Sequence, residues 1–347
     1  MLKFWQGLVA AAALAAGTQA VMAQTAVRWL SQSAAVQTQY PIEIAAIERI
    51  SGAGTGLKAD RSEFMALGLN LADALRLVRS GSYDIVSTQV GLASRDDPFL
   101  EGIDLIGVST NMDDLQAAVD AYREIFDKRI TERFGAKVLA IWPFGPQVFF
   151  CNQPIKTLDD LKTLRVRSFT PSMSKLIEAL GATPVSIPFP EVYPSLQRGV
   201  ANCGVTSPTS ANTGKWPEVT SHLLPLSVSG SIQAHLVNAA WWAKLTPQQQ
   251  ETMTRELRQM EKDLWVLART VNEDATNCSI GKDCAPKPHT KYTMTLAAVA
   301  PADLDRVRKI SQELVLTEWA TRCERAYPNC KQAWNGTIGK ARNLTIP

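Results

Sequence analysis

Short apolar runs alternate with helical patterns between residues 161 and 208, and this stretch organises the chain. The runs at 164–167, 185–187 and 200–206 are typical of short strands. The two segments between them start near a proline, have apolar residues at helical spacing and end at a glycine. Alternating strands and helices predict an α/β protein with a parallel sheet.

The ends of these strands carry candidate ligand-binding groups. Arg167 ends the first strand, and Thr206 and Ser207 end the third. Ligands of open α/β sheets bind at the carboxyl ends of the strands. A guanidinium beside two hydroxyl groups suits a carboxylate. A surface salt bridge of Arg167 is the alternative interpretation.

Several segments resemble the TRAP-transporter solute-binding proteins, the DctP-like periplasmic receptors. They occur in the order and separation of that family and read LADALRLVRSGSYDIVSTQVG, LKTLRVRS, EALGATPV, PFPEVYPSLQRGV and SANTGKWPEV. The resemblance implies an α/β, two-domain periplasmic-binding-protein fold with a long helix spanning both domains. It also implies that Arg167 binds the carboxylate of the ligand.

The same resemblance implies a division of the chain and further site residues. Domain I is expected to comprise residues 24–146 plus about 235–270, and domain II residues 147–234 plus about 271–347. Related receptors often have a second basic residue where this chain has Gln147, which favours a ligand with one essential carboxylate. The resemblance also suggests Gln89, in the loop after a predicted strand, and Phe189 as ligand contacts. Trp142 and Phe144 are further candidates because of their aromatic surface, although aromatic residues at this density more often form a core.

A long amphipathic pattern begins after Thr246 and extends to about Asn272. Thr246 and Gln249 form a capping box, and apolar residues follow at spacings of three and four. A helix of this length would measure about 39 Å. The periodicity is compatible with a helix that spans two domains, with a bundle helix, or with a helix that binds a partner.

Six cysteines favour disulfides, provided that the chain is exported. Six cysteines allow 15 pairings, so the connectivity stays open. Two local pairs are the simplest choice, and the full set would be Cys278 with Cys284, Cys323 with Cys330, and Cys151 with Cys203. The sequence has no CxxC motif or histidine cluster, so no metal site is expected.

Residues 1–23 are typical of a secretory signal peptide, with Lys3, a short apolar core and a Val-Met-Ala cleavage site before Gln24. The apolar run is too short to span a bilayer, so we expect a soluble protein exported to the periplasm. Lys and Arg total 36 and Asp and Glu 33, without long runs of one sign. This balance argues against a nucleic-acid partner.

No motif of a known enzyme class is present, and the three histidines, His222, His235 and His289, lie outside any catalytic pattern. We therefore expect a receptor rather than an enzyme, without a cofactor. The predicted function is that of a monomeric TRAP receptor that binds a small organic acid with an apolar or aromatic body and delivers it to the membrane permease subunits. The alternatives are an ABC-type periplasmic binding protein and an uncatalogued periplasmic hydrolase.

Overall fold

The computed structural model describes residues 24–32, 34, 37–285 and 287–347, so the predicted signal peptide, residues 1–23, lies outside the described residues. The strands are β1 (Thr25–Ser31), β2 (Leu57–Glu63), β3 (Ile85–Gln89), β4 (Ala136–Pro143), β5 (Val148–Cys151), β6 (Arg165–Ser168), β7 (Thr183–Ser186), β8 (Cys203–Thr206), β9 (His222–Leu224), β10 (Ile232–Asn238) and β11 (Thr295–Leu296). The helices are α1 (Tyr40–Ile50), α2 (Ala74–Arg79), α3 (Met112–Phe134), α4 (Pro171–Ala179), α5 (Phe189–Gln197), α6 (Pro208–Thr213), α7 (Ala239–Trp242), α8 (Pro247–Ser279), α9 (Pro301–Ile310), α10 (Leu316–Ala326), α11 (Cys330–Trp334) and α12 (Lys340–Arg342).

The first sheet has the strand order β2-β1-β3-β10-β4. β1 runs parallel to β2 and β3, whereas β10 is antiparallel to both β3 and β4. β10 is completely buried and comes from much later in the chain. It brings this later part of the chain back into the first sheet. We call this sheet and the helices packed on it lobe 1.

The second sheet has the order β11-β9-β5-β8-β6-β7. Strands β6, β7 and β8 are parallel, as the strand–helix alternation predicts. Arg167 is paired with Val185 of β7 on one side and with Gly204 of β8 on the other. The side chain therefore starts from the middle of the parallel part of the sheet. We call this sheet and its helices lobe 2.

Two short segments connect the lobes, one between β4 and β5 and the other between β9 and β10. They are hydrogen-bonded to each other: the backbone N–H groups of Phe144 and Gln147 donate to the carbonyls of Ser231 and Ser229 at 3.1 and 2.9 Å. These crossing segments are two of the covalent connections between the lobes, and helix α8 and the chain just before Leu316 also pass from one lobe to the other.

Helix α8 runs along both lobes and is about 50 Å long at 1.5 Å per residue. Near its middle Trp265 donates to the carbonyl of Ile141 in lobe 1 at 3.0 Å. Near its end Ser279 accepts a hydrogen bond from Asn212 in lobe 2 at 3.1 Å. The predicted spanning helix is present and continues past Asn272.

The buried side chains form one large cluster in lobe 1 and two smaller ones in lobe 2. The C-terminal part of the chain from Leu316 packs in the lobe 1 cluster. Its Trp319 and Trp334 donate to the carbonyls of Pro98 and Gly102 at 2.8 and 3.0 Å. These residues were expected in domain II. We propose instead that the chain from residue 316 onwards belongs to domain I.

The predicted disulfides are present, namely Cys151–Cys203, Cys278–Cys284 and Cys323–Cys330. The first joins β5 to β8 at directly paired residues, at the opposite end of β8 from Thr206 and not beside the predicted site. Within the described residues, no helix is both long and apolar enough to cross a bilayer.

Candidate functional site

A cavity of about 590 Å³ lies between the lobes, with residues of both in its wall. Most of the predicted site residues line it, namely Gln89, Phe144, Gln147, Arg167, Phe189 and Thr206. Trp142 and Ser207 do not line it. The sheet topology thus brings together side chains from five different segments of the chain.

Arg167 is the cation in the lobe 2 wall, and it is only 4% exposed. Its Nε donates to the carbonyl of Ile187 and its Nη1 to the carbonyl of Val205, both at 2.9 Å. These bonds hold the guanidinium in one orientation. Within the described residues Arg167 makes no salt bridge, and its Nη2 donates no hydrogen bond.

Two aromatic rings lie close to the guanidinium of Arg167. Its Cζ lies 4.9 Å from the ring centroid of Phe169 and 5.9 Å from that of Trp216. Burial lowers the pKa of the guanidinium to about 9, so the side chain remains charged at neutral pH. A buried charge without a counter-ion is costly, and an anion in the cavity would relieve that cost.

Neutral hydrogen-bonding side chains line the same cavity as the guanidinium. Gln147 immediately precedes β5, and the β5–β8 pairing sets Val148 opposite Thr206. This register brings Gln147 and Thr206 to neighbouring strand ends. From lobe 1, Gln89 contributes an amide whose Nε2 donates to Ser231 Oγ at 2.6 Å.

Aromatic rings form part of the wall as well. Phe189 begins α5 and stacks on Trp216, with ring centroids 5.5 Å apart and an angle of 25° between the rings. Phe144 lies in the crossing segment and packs edge-on against Trp142 at 5.2 Å. Packing against larger rings fixes both phenyl groups, so the cavity offers preformed apolar surface.

Trp142 and Ser207 have structural positions instead. Trp142 is in β4, where its Nε1 donates to Nδ1 of His235 at 3.1 Å inside lobe 1. Ser207 is the N-cap of α6, and its Oγ accepts from the backbone of Ser210 at 3.3 Å. We therefore no longer propose these two residues as ligand contacts.

Sequence reasoning missed other residues of the wall, among them Gln32, Gln37, Arg95, Phe169 and Glu191. Gln32 directly follows β1 and Phe169 directly follows β6, so the rule about strand ends could have identified both. Arg95 and Glu191 are exposed. The Nη2 of Arg95 reaches across the cleft to Ser186 Oγ at a long 3.4 Å.

A group of possible metal ligands lies in lobe 2, where side-chain atoms of Asp274, Cys278 and His289 come within 4.8 Å of one another. Cys278 forms the disulfide with Cys284 and cannot supply a thiolate. His289 is held between Asp274 Oδ2 at 2.7 Å and Thr209 Oγ1 at 2.9 Å. These contacts give the group a structural explanation.

Comparison with known families and proteins gives consistent results. The sequence model of the family described as bacterial extracellular solute-binding protein, family 7 (DctP) matches residues 68–298. The ectoine-binding periplasmic protein TeaA of Halomonas elongata is 29% identical over 147 residues, covering 41% of this chain and 42% of TeaA. The C4-dicarboxylate-binding periplasmic protein DctP of Rhodobacter capsulatus is 33% identical over 115 residues, covering 32% and 34%. The matched segment thus spans less than half of either relative.

Solved structures agree over nearly the whole chain. A TRAP solute-binding protein from Desulfovibrio salexigens with bound orotic acid has a TM-score of 0.80 at 16% identity, covering 91% of this chain and 99% of that protein. DctP6 of Bordetella pertussis, a receptor that binds pyroglutamic acid, has a TM-score of 0.79 at 20% identity, covering 92% and 100%. These likenesses confirm the predicted two-domain α/β fold.

Proposed function

Because the chain belongs to the bacterial extracellular solute-binding proteins of family 7, we propose that it is the extracytoplasmic receptor of a TRAP transporter. It binds a small organic acid between its lobes and delivers the acid to the membrane permease subunits. The observation that carries this proposal is the buried Arg167, oriented by two carbonyls and without an acidic partner among the described residues.

The ligand class follows from the needs of that guanidinium. A carboxylate would supply the missing negative charge, and charge-assisted hydrogen bonds strengthen when water leaves the cleft. Thr206 can add a neutral hydrogen bond from the neighbouring strand. Orotic acid, pyroglutamic acid and succinate are ligands of structurally similar receptors, which is consistent with an acid here.

The apolar part of the wall suits the body of the ligand. The phenyl rings of Phe144, Phe169 and Phe189 and the side chain of Ile187 line the cavity beside the polar groups. We propose that these rings contact an apolar or aromatic ligand body. The crossing segments between the lobes would act as the hinge on which the cleft closes.

The location and partners belong to the same proposal. A receptor of this kind acts in the periplasm, and the predicted signal peptide would direct it there. The proposed binding unit is a monomer, since both walls of the cavity come from one chain. We propose no catalytic role, and none of the three histidines lines the cavity.

The test starts with the ligand itself. Mass spectrometry of small molecules released from the denatured, purified protein should identify an acid, and calorimetry with that acid should then be repeated for Arg167 variants. Removing one partner of a desolvated charge pair costs about 2–5 kcal/mol, so Arg167→Ala should weaken binding by tens to thousands of fold. Arg167→Lys should recover only part, because an ammonium cannot pair with both carboxylate oxygens in the same way.

Arg165 offers the matched control, because it lies two residues earlier in the same strand and is exposed. Arg165→Ala should leave the affinity unchanged. The proposal fails if Arg167→Ala binds the acid normally, or if the amide analogue of the acid binds as well as the acid does.

A further inference from the structure

The side-chain amide of Gln147 has a defined orientation in the cavity wall. Its Nε2 donates to the backbone carbonyl of Gly145 at 2.8 Å. A carbonyl only accepts hydrogen bonds, so the nitrogen must be the atom that faces it. The Oε1 of Gln147 is then directed away from Gly145, and no described residue donates to it. Gln147 is only 2% exposed, and it lines the cavity.

Two more amides in the lobe 1 wall have the same property. The Nε2 of Gln89 is bonded to Ser231 Oγ at 2.6 Å, and its Oε1 receives no hydrogen bond from the described residues. The Oε1 of Gln32 is buried and has no hydrogen-bond partner among the described residues. All three glutamines line the cavity that contains Arg167.

An acceptor in the cavity wall loses its water when a ligand fills the cleft, and this loss lowers the affinity unless the ligand supplies a donor. We propose that Gln147, together with Gln89 and Gln32, selects organic acids whose body carries a neutral N–H or O–H donor. This inference rests on the proposed function, because Arg167 must already hold the carboxylate. The ligand would then need a neutral donor on its body in addition to the carboxylate that binds Arg167.

The same geometry disfavours a second carboxylate. An ionised carboxylate has only acceptor atoms, and these would face the amide oxygens. A lactam, an amide or a hydroxyl group has a hydrogen to donate and carries no charge. The selected class is therefore a monocarboxylate with a lactam, amide or hydroxyl group on its body.

Matched pairs of acids test this selection by calorimetry. One pair is pyroglutamate and 5-oxotetrahydrofuran-2-carboxylate, in which a ring oxygen replaces the lactam N–H. Another is 4-hydroxybenzoate and 4-methoxybenzoate, and succinate serves as the dicarboxylate. In the pair that fits the cavity, the donor-bearing acid should bind about tenfold more tightly, the effect of one buried hydrogen bond.

Variants locate the origin of that ratio. Gln147→Met has a side chain of similar length and lacks the acceptor, so the ratio should fall towards one. Arg167→Ala should instead weaken the binding of both acids of the pair. Gln89→Met provides a second variant if loss of the Gly145 contact unfolds the first. Gln37→Met is the control, since Gln37 lines the same cavity but its Oε1 already accepts from the backbone of Ala34 at 3.0 Å. It should leave the ratio unchanged, whatever it does to the affinity.

The outcomes separate the two proposals. If acids bind through Arg167 but the donor-free analogues or succinate bind as tightly as the donor-bearing acids, the selection is wrong and the receptor function stands. The selection is also overturned if the acid released from the denatured protein has no N–H or O–H group on its body. If no acid is released and none in the panel binds, the receptor proposal itself fails.

Discussion

Lobe 1 contains a buried anion and lobe 2 a buried cation, and the two differ in their hydrogen-bond partners. Glu43 in α1 is 1% exposed and Arg167 in β6 is 4% exposed. Glu43 accepts hydrogen bonds from Trp29 at 2.9 Å, Ser31 at 2.5 Å and His235 at 3.2 Å. Arg167 is bonded only to neutral carbonyls. The difference separates a polar group that builds the fold from one that is prepared for a ligand.

The hydrogen bonds and the charge that Glu43 needs come from the side chains around it. Trp142 Nε1 can only donate, so Nδ1 of His235 must accept, and the proton of His235 is on Nε2 facing Glu43. Burial alone would raise the pKa of Glu43, but the hydrogen bonds from His235 and Ser31 and the charge of Arg61 lower it overall. The carboxylate is therefore stabilised without any ligand. For Arg167 burial acts alone and lowers the pKa, so the stabilising partner must come from outside the chain.

The largest expected change in stability comes from the removal of the Glu43 carboxylate. Glu43→Ala leaves the buried donors of Trp29 and His235 unpaired, and we expect a loss of about 3–5 kcal/mol in the free energy of unfolding. Denaturant unfolding followed by circular dichroism measures this loss. Glu48 lies on the same helix and is exposed, so Glu48→Ala should stay within about 0.5 kcal/mol of the parent protein. Equal stability of the two variants would show that Glu43 has no such role.

Removal of the Arg167 charge should not destabilise the ligand-free protein, in contrast to removal of the Glu43 charge. Without ligand, Arg167→Met should unfold at the same or a higher denaturant concentration than the parent, because an uncompensated buried charge is replaced by an apolar side chain. A ligand at 100 times its dissociation constant stabilises the parent by about 2.7 kcal/mol, and the variant should lose this gain. A strong loss of stability in the ligand-free variant would instead make Arg167 a structural residue like Glu43.

The comparison also explains which parts of the site were readable from the sequence. Arg167 lies one residue before the end of β6, and Thr206 ends the neighbouring parallel strand β8. This relationship follows from local patterns and one topological rule. The role of Trp142 depends on His235, which is 93 residues away, so no local pattern could distinguish it from Phe144.

The end of the long helix also depends on contacts with residues that are distant in the sequence, which a local pattern does not reveal. The apolar spacing predicts an end of the long helix at about Asn272. Asn272 lies inside α8 and is buried, and its side chain bonds the carbonyl of Phe144 at 3.3 Å and the backbone of Thr209 at 3.2 Å. Strand β2 was missed because it is mostly polar and lies at the edge of its sheet, where period-two apolar spacing is not required.

Asp104, next to the crossing segments, is intermediate between Glu43 and Arg167. It has hydrogen-bond donors from the protein, but burial still disfavours its charged form. Its carboxylate accepts from Ser229 Oγ at 3.2 Å and from the backbone of Gly230 at 3.4 Å. Burial raises its pKa to about 7 against these hydrogen bonds. The folded protein therefore keeps this proton at pH values where the unfolded chain has lost it. The free energy of unfolding should fall as the pH rises from about 4 to about 7.

Asp104→Asn tests this assignment, because an amide cannot titrate. The contribution of this residue to the pH dependence, on the order of 2 kcal/mol, should disappear in the variant. Denaturant unfolding at several pH values between 4 and 7 gives the two slopes. If the parent and the variant have the same slope, Asp104 is ionised throughout this range.

The smallest effect is expected for Arg95, the other arginine in the cavity wall. It is exposed and makes one long contact, to Ser186, so water already solvates its charge. Arg95→Ala should therefore weaken equilibrium binding by no more than about threefold and act mainly on the association rate at low salt. Stopped-flow measurements at two salt concentrations separate the rate from the affinity. Arg79→Ala, which removes an exposed charge outside the cavity wall, controls for net charge. A loss of affinity as large as that of Arg167→Ala would mean that two cations hold the ligand, and a dicarboxylate would then replace the monocarboxylate as the expected ligand.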